Sequence, residues 1–300
     1  MTGDHDGQQV PVQEAEGPAE RGEEIDRTTA CAAMGRLVDL KLGRAQVHID
    51  ELREHLDRFM ARRPYEIVVH IYPRVAEGSV RVRENANIPD SFSLIIADAI
   101  HNLRVTLDLV AYAIASRHGA NERAIQFPFP NDSDGLDQLL RKTKIFRSVP
   151  AVEEAVRAIA PYPGRNETLS NLHKLDIRAK HRLPIVARSV PEISGEQVSK
   201  LSGVPVANGS IVFAGEAGGE FMRISIDMGS SRNERRVNRR AKPFVRETDV
   251  DAKFRLVFAT GQPFEMQEVI DVLDRCLQEV GNAARSLIDA YASADPSPMQ

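Results

Sequence analysis

The chain has 300 residues, 42% of them hydrophobic, and a formal net charge of −4. That is enough apolar material to bury a real core in one large domain or two modest ones. No run of about 18 apolar residues is present to cross a bilayer, and the first 26 residues are too polar for a secretory signal, so no membrane partner is expected and the protein reads as cytoplasmic.

Met1 to Asp26 carries eight acidic residues and one basic one. It lacks the apolar content to offset ordering entropy, so residues 1–26 read as a disordered acidic tail and 294–300 as a disordered C-terminus. Residues 27–293 form a single α+β domain on this reading. From about Thr28 to Arg63, Val38, Leu42, Ala45, Ile49, Leu52, Leu56 and Phe59 alternate four and three apart, a heptad seam on a long helix that Pro64 ends. His48, Glu51 and His55 have tempting spacing, yet both histidines fall off the seam, on the expected wet side. Cys31 and Cys276 lack Cys-x-x-Cys spacing and read as packing thiols.

YEIVVHIYPRVAEGSVRVRENANIP then reads as a hairpin around Glu77-Gly78, and Ser91 to Arg117 as a central helix. FPFPNDSDG is a loop. Helices are expected near Gly135 to Lys144, Pro150 to Ile159 and Glu167 to His181, followed by strands in LPIVARSV, GSIVFAG, EFMRISIDM and AKFRLVFAT. Near the C-terminus the heptad pattern returns in Met266, Ile270, Leu273, Leu277, Val280, Ala284, Leu287 and Tyr291. The predicted fold is α+β: a helical bundle with two long heptad-patterned helices packed with a mainly antiparallel β-sheet. The seams are expected to pair within one chain, with a homodimer through them as the competing use.

The central helix poses the sharpest question. It is apolar almost all the way round, yet His101, Arg104 and Asp108 share one face with Ala97, Ala111 and Ala115. Buried charge must be paired. Arg104 and Asp108 can pair along the helix, and the best outside partners lie in LSNLHKLDIRAKHRL, where Asn171, His173, Asp176, Lys180 and His181 supply polar groups beside Leu169, Leu172 and Leu175. Asp176 is expected to accept from Arg104, and Lys180 or His181 to meet Asp108.

HNLRVTLDL at 101–109, followed by LHKLDIRAKHRL at 172–183, resembles an uncharacterised family of bacterial proteins marked by an H-N-L-R-x-x-L-D helix and a later D-K-H-R turn before a strand. The resemblance spans residues 28–292, although only the two motifs are specific. Many such proteins have His after the Asp, giving an Arg-to-His spacing similar to that of HEPN domains, helical bundles that include metal-independent ribonucleases. Here position 109 is leucine and Ala179 stands where Asp is usual, so the resemblance implies a degenerate HEPN-like centre.

For metal-independent RNA cleavage, His101 or His181 would be the base, and Arg104, Lys180 or Arg182 the charge clamp. His101, Arg104, Asp108, Asp176, Lys180 and His181 are therefore the candidate catalytic residues. RNERRVNRRAKPFVR, residues 232–246, adds a basic run in which Arg232, Arg235, Arg236, Arg239, Arg240 and Lys242 are candidate contacts to RNA or DNA. Gly215, Gly218 and Gly219 lack the Gly-Lys-Ser or Gly-Lys-Thr of a phosphate loop, and no Gly-x-Ser-x-Gly elbow occurs. No cofactor is expected. The competing readings are a non-enzymatic dimerising protein and a metal-dependent hydrolase using His101, Asp108, His173, Asp176 and His181.

Overall fold

A computed structural model describes residues 18–72, 77–118, 125–143, 149–181, 187–194, 210–212, 220–225, 244–248 and 253–294. Helix α1, Pro18–Met60, begins well before the expected start at Thr28. Proline suits a first helical position, and the Ala, Glu and Arg residues that follow are good helix formers, so residues 18–26 of the expected tail are helical. The remaining helices are α2 (Asp90–Ser116), α3 (Ser133–Lys142), α4 (Pro150–Ile159), α5 (Glu167–His181) and α6 (Val269–Ala292). The side chain of Asp132 accepts from the Gly135 N–H at 2.7 Å and so caps α3.

α1, α2 and α6 pack on one another, and α5 joins them against α2 and α6. α1 runs antiparallel to α2, with Asp26 paired to Arg117, Lys41 donating to Asn102 and Phe59 edge-on to Phe92. It is antiparallel to α6 as well, for Arg27 lies over Tyr291 near one end and Arg53 pairs with Asp274 towards the other. Both heptad seams are spent inside this bundle. Val38, Ala45, Ile49, Leu52 and Phe59 of α1 are buried, as are Leu273, Val280, Ala284, Leu287 and Tyr291 of α6. The seams are therefore not free to make a homodimer. Met266 lies outside α6 and is exposed. α2 is apolar on several faces because α1, α5 and α6 all lie against it.

His48 corrects the expected wet face: it is buried at 6% exposure, and His55 is half-buried, stacked on Phe92. With α2 on one flank and α6 on the other, the covered arc of α1 is wider than a two-position seam.

The expected α+β architecture is overturned. The described residues are mostly helical and the core is helix on helix. Their strands are β1 (Tyr65–Tyr72), β2 (Glu77–Glu84), β3 (Ala187–Ser194), β4 (Ser210–Val212), β5 (Glu220–Ser225), β6 (Phe244–Thr248) and β7 (Lys253–Phe258). They pair into two separate small ladders, β5-β2-β1-β6 and β4-β3-β7, which reach the helical core only through Tyr65 of β1 and Leu256 and Phe258 of β7 among the described residues. The physical reason lies in the helices: their broad apolar stripes cover one another, which leaves no wide apolar face for a sheet to cover. The β1–β2 hairpin is present, but Glu77 and Gly78 are paired with Tyr72 and Ile71 within the ladder. Among the described residues no helix is long and apolar enough to cross a membrane.

Candidate functional site

α2 and α5 lie side by side in opposite directions, which sets the stripe His101–Arg104–Asp108 against His173–Asp176–Lys180. Both stripes follow the three-and-four spacing that keeps residues on one helical face. Their partners differ from those expected. His101 Nδ1 stands 3.1 Å from Asp176 Oδ1, and Lys180 Nζ donates to Asp176 Oδ2 at 2.6 Å. Arg104 Nε donates instead to Nδ1 of His173 at 3.1 Å. Asp108 lies 2.5 Å from Arg104 Nη1, and its Oδ1 also accepts the backbone N–H of Phe127 at 2.8 Å. That close Arg104–Asp108 approach is a charge contact without hydrogen-bond alignment, since Nη1 is buried and makes no directed bond.

The centre divides by exposure. Arg104 is 3% exposed and Asp176 2%, whereas the His101 and Lys180 side chains are half in solvent, at 52% and 49%. A carboxylate can only accept, so its contact with His101 places the imidazole proton on Nδ1 and leaves Nε2 as the available base. Arg104 is too deeply buried to reach a substrate. Its guanidinium lies over the Phe129 ring, 4.4 Å from the centroid, and His173 stacks on the same phenylalanine at 4.4 Å and 6°. Burial, followed by the charge of Arg104, lowers the His173 pKa to about 4. His173 is thus neutral at neutral pH, accepts at Nδ1 and carries its proton on Nε2.

His181 closes α5, is exposed, and is joined to the centre by no hydrogen bond or ion pair among the described residues. Arg232, Arg235, Arg236, Arg239, Arg240 and Lys242 lie outside the described residues, as does Arg182. Among the described residues no group of three or more His, Cys, Asp or Glu side chains is placed to hold a metal ion. Of the five ligands of the hydrolase reading, His101 pairs with Asp176, Asp176 also with Lys180, and Asp108 and His173 with Arg104, while His181 stands apart.

Sequence reasoning missed Phe127 and Phe129, which stood in a stretch read only as a loop. FPFP carried the available signal: two aromatic residues held extended by prolines, next to a helix bearing an unsatisfied guanidinium. His173 was named as a nearby polar group and a candidate metal ligand, not as the acceptor for Arg104.

Comparison with protein-family models, curated proteins and solved structures finds no match.

Proposed function

We propose that the centre is a general acid–base site that cleaves RNA without a metal ion in the bacterial cytoplasm. His101 is its base, Asp176 orients that base, and Lys180 stabilises charge on the phosphate. The observation that carries the reading is the contrast within one pair: a carboxylate buried to 3% holds an imidazole that is half in solvent.

His101 Nε2 takes the proton of a 2′-hydroxyl, whose oxygen attacks the adjacent phosphorus. The 5′-oxygen leaves with a proton from solvent, giving a 2′,3′-cyclic phosphate. The ammonium of Lys180, half in solvent beside Asp176, offsets the charge that builds on the phosphoryl oxygens in this reading. The basic run Arg232 to Arg246 supplies sequence-independent contacts to the rest of the strand. Arg104, His173, Asp108 and Phe129 form the support beneath the site.

The test is cleavage of a labelled RNA, with EDTA present, beside the same oligonucleotide made as DNA. Cyclic-phosphate ends are expected on RNA alone, with the rate falling about a hundredfold in His101→Ala and Asp176→Asn. The deep burial of Arg104 favours one other reading, a polar lock that only fixes helix register. Absence of cleavage, together with a fall in melting temperature in Asp176→Asn, selects that lock and rejects the nuclease.

A further inference from the structure

Helix α2 meets solvent along one narrow strip. Beyond its first turn the exposed residues are Leu94, Asp98, His101, Tyr112 and Ser116, and at about 100° per residue all five fall within about 60° of one line. Leu94, His101 and Tyr112 lie closer still, within about 20° of each other, with half-buried Val105 beside them. Leu94 is 52% and Tyr112 38% exposed, so an aliphatic and an aromatic side chain stand open on either side of the candidate base. The strip has walls. On one side Lys41 of α1 donates to Asn102, and on the other Asp176 of α5 holds His101 and is itself held by Lys180.

The two ends of the strip differ in charge. Because α5 runs antiparallel to α2, the stem of Lys180 approaches from the Leu94 side of His101, whereas Asp108, its side chain 28% exposed, lies on the Tyr112 side. A phosphate beside His101 is therefore drawn towards Lys180 and Leu94. We infer that the strip is a track for one RNA strand running 5′ to 3′ from Tyr112 to Leu94, and that the Tyr112 ring stacks on a base upstream of the cleaved bond. The direction rests on the nuclease reading: the 2′-hydroxyl that His101 deprotonates belongs to the nucleotide on the 5′ side of the scissile phosphate, so the upstream strand leads to Tyr112. The separation along the helix is about 16.5 Å. That spans roughly two to five nucleotides, at about 3.4 Å each when stacked and up to about twice that when stretched. An open aromatic ring suits an unpaired base, because every base has a π-face that a duplex hides. Leu94 offers the leaving nucleoside apolar contact only. Asp98, exposed towards α1, keeps the phosphates on the α5 side of the strip.

A short DNA strand carrying a single ribonucleotide tests this, since cleavage after that one sugar fixes the register. With the wild-type chain, an abasic site placed about two to five nucleotides upstream of the ribose should raise KM about tenfold and leave kcat unchanged, and the same lesion downstream should do less. Tyr112→Ala should raise KM for the intact strand by a similar factor and no longer sense the upstream lesion, whereas Tyr112→Phe should behave as the wild type. A KM unmoved by Tyr112→Ala, or more sensitive to downstream lesions than to upstream ones, would overturn the inference while leaving the nuclease reading in place. If the wild-type chain cleaves nothing, the nuclease reading fails, and binding of the all-deoxy strand measured by fluorescence anisotropy decides the ring contact. Binding weakened about tenfold by Tyr112→Ala and kept by Tyr112→Phe sustains it. No binding, or binding indifferent to Tyr112→Ala, ends it.

Discussion

The Nε of Arg104 donates to Nδ1 of His173 across 3.1 Å, so one edge of a buried cation is held by a neutral ring and its other side by Asp108. This arrangement separates the supporting half of the polar centre from the half that solvent can reach.

The two halves should therefore respond differently to truncation. Arg104→Ala leaves Asp108 and His173 without their partner inside the protein and should cost about 3–5 kcal/mol in a urea titration. His101→Ala removes a half-exposed side chain and should cost about 1 kcal/mol or less. Equal losses would mean that the division by exposure has no energetic meaning.

His173 should make the fold sensitive to mild acid. Its pKa falls from 6.5 to about 4 on folding, chiefly through burial, so the unfolded chain takes up a proton that the folded chain refuses. The imidazole's contribution is fully present above about pH 6.5 and is lost as pH drops towards about 4. Urea midpoints measured down this range should fall for the wild type and flatten in His173→Gln. An unchanged slope in that variant assigns the sensitivity to other groups.

Phe129 covers both His173 and Arg104. Phe129→Ala should cost about 2–3 kcal/mol, less than a fully buried phenylalanine because the ring is only half-buried. By admitting water it should also raise the His173 pKa towards 6.5, which the imidazole proton shifts in an NMR titration would report. A pKa that stays near 4 would show that Phe129 is not what keeps water from the ring.

Asp132→Ala removes the cap of α3 and should cost about 1 kcal/mol, with Asp132→Ser losing less. Thermal melts of the two variants beside the wild type decide it, and equal stability of all three would show that the cap is idle.

Much of this arrangement was legible in particular residues. The spacing of His101, Arg104 and Asp108 in an otherwise apolar helix required a polar partner, and the 171–181 stretch supplied it. The individual pairs were not legible, because periodicity fixes the face of each helix but not the offset between two of them. The same limit explains His48, whose burial depends on how far α2 and α6 wrap round α1. Strand propensity in β1, β3 and β7 was readable locally. Whether those strands would cover the bundle was not, since that depends on how completely three helices cover each other. Phe129 was hidden because prolines mark a chain as irregular and say nothing of what its rings touch.

The meeting of α2 and α5 has a consequence for how the two helices find their seat. Slid by one turn, about 5.4 Å, Asp176 would come opposite Arg104 and His173 opposite Asp108, a pairing that also joins unlike polar groups. Electrostatics alone therefore offers two neighbouring notches. Leu169, Leu172 and Leu175, each at most 1% exposed, are packed at the observed notch, so the apolar side of α5 has its own part in holding a position that unlike charges alone leave twofold.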